Sequence, residues 1–211
     1  MNDQITRRLS LPISNDGILD LHVGDPILLS GVIITGRDAV HKWLFDTFIN
    51  KTRLPEGDDL KVYNAMKSIL DGGVLYHCGP VVSRLDNGEY QFIAAGPTTS
   101  MREEPYQAEI MRNFNLKGVI GKGGMGAKTL AACHEVPAVY FHAVGGAAAL
   151  IAETVKSVLS VHKLEFGAPE AIWVIEVIDF PVVVTMDAHG FSLHAEVRAR
   201  SRDMLEKLIK S

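Results

Sequence analysis

The sequence predicts an α/β protein built on a mixed sheet, with a β-rich first half and an α/β second half joined in one domain over residues 1–211. Three observations predict it. Early runs rich in Val, Ile and Leu are bounded by turn residues, which favours strands. From residue 96 onward, strand-like runs alternate with glycine loops and helix-like runs, and that alternation calls for parallel strands joined by crossovers. The composition is globular, with 47% hydrophobic and 22% charged residues among 211, enough to bury one sizeable core.

Each element follows from local pattern. Residues 5–12 and 26–35 read as strands, the second being Pro26-Ile-Leu-Leu-Ser-Gly-Val-Ile-Ile-Thr35. Asp38 opens a helix to about residue 49, with Val40, Leu44, Phe45 and Phe48 on one face. A polar loop over 50–60 precedes a helix over about 60–71, whose apolar stripe is Val62, Ala65, Met66 and Ile69. Strands at 74–78 and 90–95 are joined by a turn at Asp86-Asn87-Gly88. A loop at 96–102 leads into a helix at 104–114, then strand 117–120, a glycine loop at 121–126, helix 127–135 and strand 137–142. Gly145-Gly146 opens a further helical run, strands follow at 172–178 and 182–187, and 194–210 is a charged helical end.

Several function classes are excluded at this level. A net charge of −4 gives no electrostatic case for nucleic acid or an acidic membrane surface. The apolar stretches at 171–178 and 181–186 are broken or bounded by Glu176, Asp179 and Asp187 and are too short to span a bilayer. Residues 1–12 carry Arg7 and Arg8 without the apolar run of a secretory signal, so a cytoplasmic protein is expected. Cys78 and Cys133 lie in no CxxC pair; they form no disulfide framework and cannot hold an iron–sulfur cluster, which takes three or four thiolates. Both read as small buried hydrophobes, and no metal ligand is expected from this chain.

The loop Gly121-Lys-Gly-Gly-Met-Gly126 has the G-x-G-x-x-G spacing between a strand and a helix. A dinucleotide site would need an acid at the end of the next strand, which instead closes on His142 and Ala143. A phosphate loop would need Lys128 directly after Gly126, and Ala127 intervenes. What remains is a set of amides at a helix N-terminus with Lys122 at its mouth, suited to a small anion such as a carboxylate. A tight turn with Lys122 in solvent is the alternative.

The second loop is Gly96-Pro-Thr-Thr-Ser-Met-Arg102. Pro97 stiffens the approach, Ser100 and Glu103 have capping-box spacing, and Pro105 suits a first helical turn. Thr98 and Thr99 therefore sit just ahead of a helix, with Arg102 projecting from its start. A guanidinium fork matches a carboxylate. Arg37 is a third cation, in Thr35-Gly-Arg-Asp38, with Asp38 and His41 spaced i, i+3 behind it. Capping and surface ion pairs are the alternative for all of these.

Together with Gly145-Gly-Ala-Ala148, Pro169-Glu-Ala-Ile-Trp173 and Asp179-Phe-Pro181, and in the same order, these motifs resemble the class I (iron–sulfur) fumarate hydratase and L(+)-tartrate dehydratase family. The likeness is to the C-terminal region of the one-chain enzymes, or to the β subunit of the two-chain ones, and it covers nearly the whole chain. It implies a swivelling β/β/α fold and a partner α subunit that binds a 4Fe–4S cluster, in a heterodimer or heterotetramer. It also implies a four-carbon dicarboxylate substrate held between the two subunits. By the family pattern, Thr98 is the proton-transferring residue, with Lys122 as its catalytic neighbour. Arg37, Arg102 and Lys122 are then the cations that bind substrate, Thr99, Gly96 and Gly123 line the site, and Asp38 and His41 support it. The activity implied is reversible hydration of fumarate to L-malate. The alternatives are dehydration of L(+)-tartrate to oxaloacetate, or a non-catalytic carboxylate-binding module. Met101 resembles the tartrate enzymes, whereas Glu170-Ala-Ile-Trp173 and Asp179-Phe-Pro181 resemble the fumarases. Residues 50–73 form a longer segment than the family pattern has.

Overall fold

The computed structural model describes residues 6–210. Strand β1 (Arg7–Ser10) lies parallel to β2 (Pro26–Thr35), with Arg7 opposite Ile27. From β2 the parallel order continues through β3 (Val74–Tyr76), β6 (Gly118–Gly121) and β7 (Val139–His142). The long strand β9 (Ile172–Met186) runs antiparallel to β7, to β2 and to β8 (Val155–His162). Because β9 pairs with both β2 and β7, the strands β2, β3, β6, β7 and β9 close on themselves. A separate hairpin joins β4 (Val81–Arg84) to β5 (Tyr90–Ala94). The α/β class and the mixed sheet stand as the sequence predicts.

Side chains alternate across each strand, and this alternation divides the apolar residues between two cores. Ile33, Tyr76, Ile120, Phe141 and Ile175 face one core, shared with Phe92 of the hairpin and with Trp173. Ile34, Leu75, Val119, Tyr140 and Val174 face the other. Four helices cover that second core: α2 (Asp38–Leu44), α3 (Asp59–Leu70), α4 (Glu104–Phe114) and α5 (Ala127–Glu135). They contribute Trp43, Met66, Met111 and Cys133. Ile172, Val174 and Met186 of the antiparallel β9 also face this helix-covered core. Each large apolar side chain buried this way contributes about 1.5–3 kcal/mol. Cys78 and Cys133 are free and buried, and burial pushes both thiols up to about 12.

Several elements differ from the sequence reading. A short helix α1 (Asn15–Leu19), capped by Ser14, is too brief to show a helical period. The helix from Asp38 changes to a π-helical turn over Phe45–Ile49. The turn at 86–88 joins β4 to β5, not the strand at 74 to that at 90, so β4 was missed. The helical run after Gly146 is only α6 (Ala148–Thr154), and β8 follows it directly. The two strands expected at 172–178 and 182–187 are one: Asp179 sits in the left-handed region at φ 53, within a bulge of β9 where Ile178 and Asp179 together stand opposite Ser30 of β2. The expected strand at 5–12 is confined to β1, and residue 5 lies outside the described residues. The last helix, α7 (Leu193–Lys210), buries none of its residues. No described helix is long and apolar enough to cross a membrane.

Parallel pairing of β2, β3, β6 and β7 brings their carboxyl ends to one edge. Crevices beyond such strand ends are where α/β sheets bind ligands. Both loops singled out from the sequence open there.

Candidate functional site

Arg37 leaves the end of β2 in extended conformation and forms the N-terminal boundary of α2. Its Nε lies 3.2 Å from Glu170 Oε1, and the other oxygen of Glu170 accepts from the Ala39 amide at 3.1 Å. One carboxylate thus fixes both the guanidinium and the helix start. Gly79 makes room for that side chain: a Cβ there would come within 2.7 Å of Arg37 Cδ and 2.6 Å of the Pro169 carbonyl.

The Gly-Pro-Thr-Thr loop is stitched between β3 and the glycine loop. The Thr98 amide donates to the His77 carbonyl at 2.7 Å, and the Lys122 amide donates to the Thr98 carbonyl at 3.2 Å. The Ser100 amide then donates to the Lys122 carbonyl at 3.1 Å. Thr99 pairs with Lys122 as an isolated parallel bridge. The backbone therefore places Thr98 beside Lys122. On the side-chain level, Arg102 Nη2 donates to Thr98 Oγ1 at 2.7 Å, and Arg102 Nε lies 3.3 Å from Asp38 Oδ1. Lys122 runs along Gly145 and makes no ion pair among the described residues. Arg37 and Arg102 each have a carboxylate; Lys122 is the uncompensated charge.

The structure thus brings together Arg37, Asp38, Thr98, Arg102 and Lys122. Thr99 is exposed at the rim. Gly96 lies behind the loop, where a Cβ would meet Ala148 Cβ at 3.0 Å. Gly123 is exposed at φ 79, a conformation that calls for glycine. His41 does not share an open face with Asp38. It is buried, with Nδ1 2.9 Å from the Arg37 carbonyl and Nε2 3.0 Å from Gln107 Oε1.

Two sequence expectations change. The amides at the α5 N-terminus are already filled by a protein carboxylate. Glu104 accepts from the amides of Gly126 (2.8 Å), Lys128 (3.0 Å) and Thr129 (3.3 Å) and from the Thr129 hydroxyl (2.7 Å). An outside anion at that loop would have to be held by Lys122. The Ser100–Glu103 capping box also does not form. Ser100 Oγ is 2.8 Å from His77 Nδ1 and accepts from the Tyr140 hydroxyl at 2.8 Å.

Sequence reasoning missed what lies beneath the loop. His77 Nε2 meets Gln107 Oε1 at 2.8 Å, the same oxygen that His41 Nε2 faces, so a buried polar chain runs from the Arg37 carbonyl through His41, Gln107, His77 and Ser100 to Tyr140. Burial pushes both histidines down, His77 well below the usual range. Such a chain rigidifies the ends of α2, β3 and β7. Glu103 was also missed as a buried acid; its side chain is enclosed and burial pushes its carboxyl up to about 8.

No group of three His, Cys, Asp or Glu residues that could hold a metal occurs among the described residues. Both thiols are buried on different sides of the parallel strands and are held protonated.

Fold and edge together define an α/β domain whose parallel strand ends carry Arg37, Arg102, Lys122 and the Thr98 hydroxyl along one edge. The chain belongs to the Fumarase C-terminus family, which matches over residues 2–197. A Geobacillus stearothermophilus protein, provisionally named class I fumarate hydratase, is 48% identical over 95% of this chain and 35% of its own length. The chain therefore spans about a third of that relative. The L(+)-tartrate dehydratase subunit beta of Escherichia coli K12 is 36% identical over 89% of this chain and 86% of that subunit. A Methanocaldococcus jannaschii protein, provisionally named as the same subunit, is 34% identical over 93% and 95% respectively. Both activity names denote hydro-lyases.

Proposed function

We propose that this chain is the β subunit of a two-subunit iron–sulfur hydro-lyase that interconverts fumarate and L-malate. One observation carries the reading: Thr98 Oγ1 is held at 2.7 Å by Arg102, beside Lys122, which makes no ion pair among the described residues, and close to the Asp38 that follows Arg37. A dicarboxylate needs cations at a carboxylate and a group that moves a proton on the neighbouring carbon. Arg37 and Lys122 bind the carboxylate distant from the leaving hydroxyl. Arg102 orients Thr98 and stabilises charge on its oxygen, which lowers the hydroxyl's pKa. Thr98 Oγ1 then takes the proton in dehydration and returns it in hydration. Glu104 and Ser100 hold the two loops that carry these groups.

A 4Fe–4S cluster, the cofactor implied by the family resemblance, would be bound by a partner α subunit, because two buried, protonated thiols do not suit it. The Escherichia coli relative is named as a beta subunit, which supports a second chain as partner. Tartrate is the second reading, favoured by the chain's fit to nearly the full length of that subunit.

The test uses the complex assembled with a cluster-bearing partner under anaerobic conditions. Turnover of fumarate, L-malate and L(+)-tartrate, measured side by side, assigns the substrate. Thr98→Ala should lower kcat at least about a hundredfold with a smaller change in KM. A near-wild-type rate would remove Thr98 from proton transfer.

A further inference from the structure

Glu103 is a buried acid that the reading above leaves without a role. Its side chain is 0% exposed, and neither carboxylate oxygen meets a hydrogen-bond donor among the described residues. Its neighbours come from three elements. Asp38 lies on α2, Arg102 on the same turn as Glu103, and Glu170 in the segment before β9. Glu170 is already paired with Arg37, and Arg102 with Asp38. His41 and His77, from α2 and the end of β3, are buried, pushed down by that burial, and joined to Gln107, one helical turn beyond Glu103.

An ionised carboxylate enclosed without a donor is strongly disfavoured, and two contacting carboxylates without a proton repel each other. A single proton resolves both conflicts. We propose that Glu103 is a neutral carboxylic acid at neutral pH, that its O–H donates to the Asp38 carboxylate, and that it thereby positions the chain Asp38–Arg102–Thr98. It is a positioning residue, acting through Asp38. Its protonation stands independently of any activity, whereas its effect on turnover rests on the hydro-lyase reading.

Burial is the main cause that lifts this carboxyl to about 8, with Asp38 adding to it and Arg102 opposing. The sign follows. The proton is retained in the folded chain at pH values where an unfolded glutamate has lost it. As pH rises through about 8, Glu103 ionises, repels Asp38 and loosens Arg102 from Thr98.

Two measurements test this. The first is a carboxyl-carbon NMR titration of the chain alone, labelled at glutamate. One resonance should titrate near pH 8 and vanish in Glu103→Gln. The second compares Glu103→Gln with Glu103→Ala in the assembled complex. The glutamine amide still donates to Asp38, so Glu103→Gln should keep kcat within about threefold and lose the alkaline limb near pH 8. Glu103→Ala should lose kcat about ten- to a hundredfold. The proposal is overturned if every glutamate titrates below pH 6, or if Glu103→Gln is as impaired as Glu103→Ala, which would make the ionised carboxylate the working form. A resonance titrating near pH 8 in a complex that turns over none of the three acids would uphold the shared proton and sink the hydro-lyase reading instead.

Discussion

Replacing Gly121 with alanine probes how tightly the two loops are stitched together. A Cβ at this position would overlap Ser100 Oγ and stand 2.9 Å from the Tyr140 hydroxyl. Ser100 must then leave, breaking its bonds to His77 Nδ1 and from Tyr140, both 2.8 Å. All three side chains are buried, so no solvent replaces what is lost. Each stranded polar group costs about 1–3 kcal/mol, so Gly121→Ala should cost about 2–6 kcal/mol. The assay is urea unfolding of the chain alone, read as a fall in midpoint at constant m. Ser100→Ala strands the same two groups and should cost a similar amount. Combined with Gly121→Ala it also removes the overlapping oxygen, leaving a Cβ–Cβ approach of 3.2 Å and the Tyr140 hydroxyl at 2.9 Å, at the free end of its side chain. The double variant should therefore be about as stable as Ser100→Ala alone, a coupling of at least about 2 kcal/mol. Strict additivity of the two single costs would refute this account of the loop.

Two other perturbations test its supports. Glu104→Gln puts an NH2 in place of one oxygen, facing two of the four donors at the α5 N-terminus, and should cost about 2–3 kcal/mol, visible as a lower Tm; an unchanged melt would mean those donors have other acceptors. Lys163, 7% exposed, lies 2.5 Å from Asp59, 1% exposed, so Lys163→Met should cost about 3 kcal/mol by leaving Asp59 buried without a cation, held only by the Trp43 indole and the Glu56 amide. Adding Asp59→Asn should recover part of that loss, and a double variant worse than the single would contradict it.

What the sequence disclosed is set by how local each interaction is. Strand β2 and helices α4 and α5 carry their own period and punctuation, and their positions were legible to within a few residues. Strand β8 was not. It follows α6 without a turn residue, and polar Lys156, Ser157 and Ser160 blur its alternation. Asp179 looked like a break between strands because its compensation is remote: its amide donates to Ser30 Oγ at 3.0 Å, across 149 positions.

The same rule holds at the site. Arg37, Lys122 and Thr98 stood out because each lies beside a glycine or proline at an element boundary, and Arg102 because it stands between the Gly96-Pro97 loop and a helix. The carboxylate that fills the glycine loop could not be read, because Glu104 reaches Gly126 across 22 positions. Nor could the chain from His41 to Gln107, across 66. The capping box misled because local spacing says nothing of distant competitors, and His77 and Tyr140 take the Ser100 hydroxyl.

The central claim is that this chain supplies the cationic, proton-moving half of a hydro-lyase whose cluster sits on another chain. Mixing tests it most directly. The purified chain, assayed anaerobically alone and then with a separately purified cluster-bearing α subunit, should show no fumarate hydration alone and turnover on mixing, with all the iron bound to the partner. Steady hydration by the chain alone, free of iron, would contradict it.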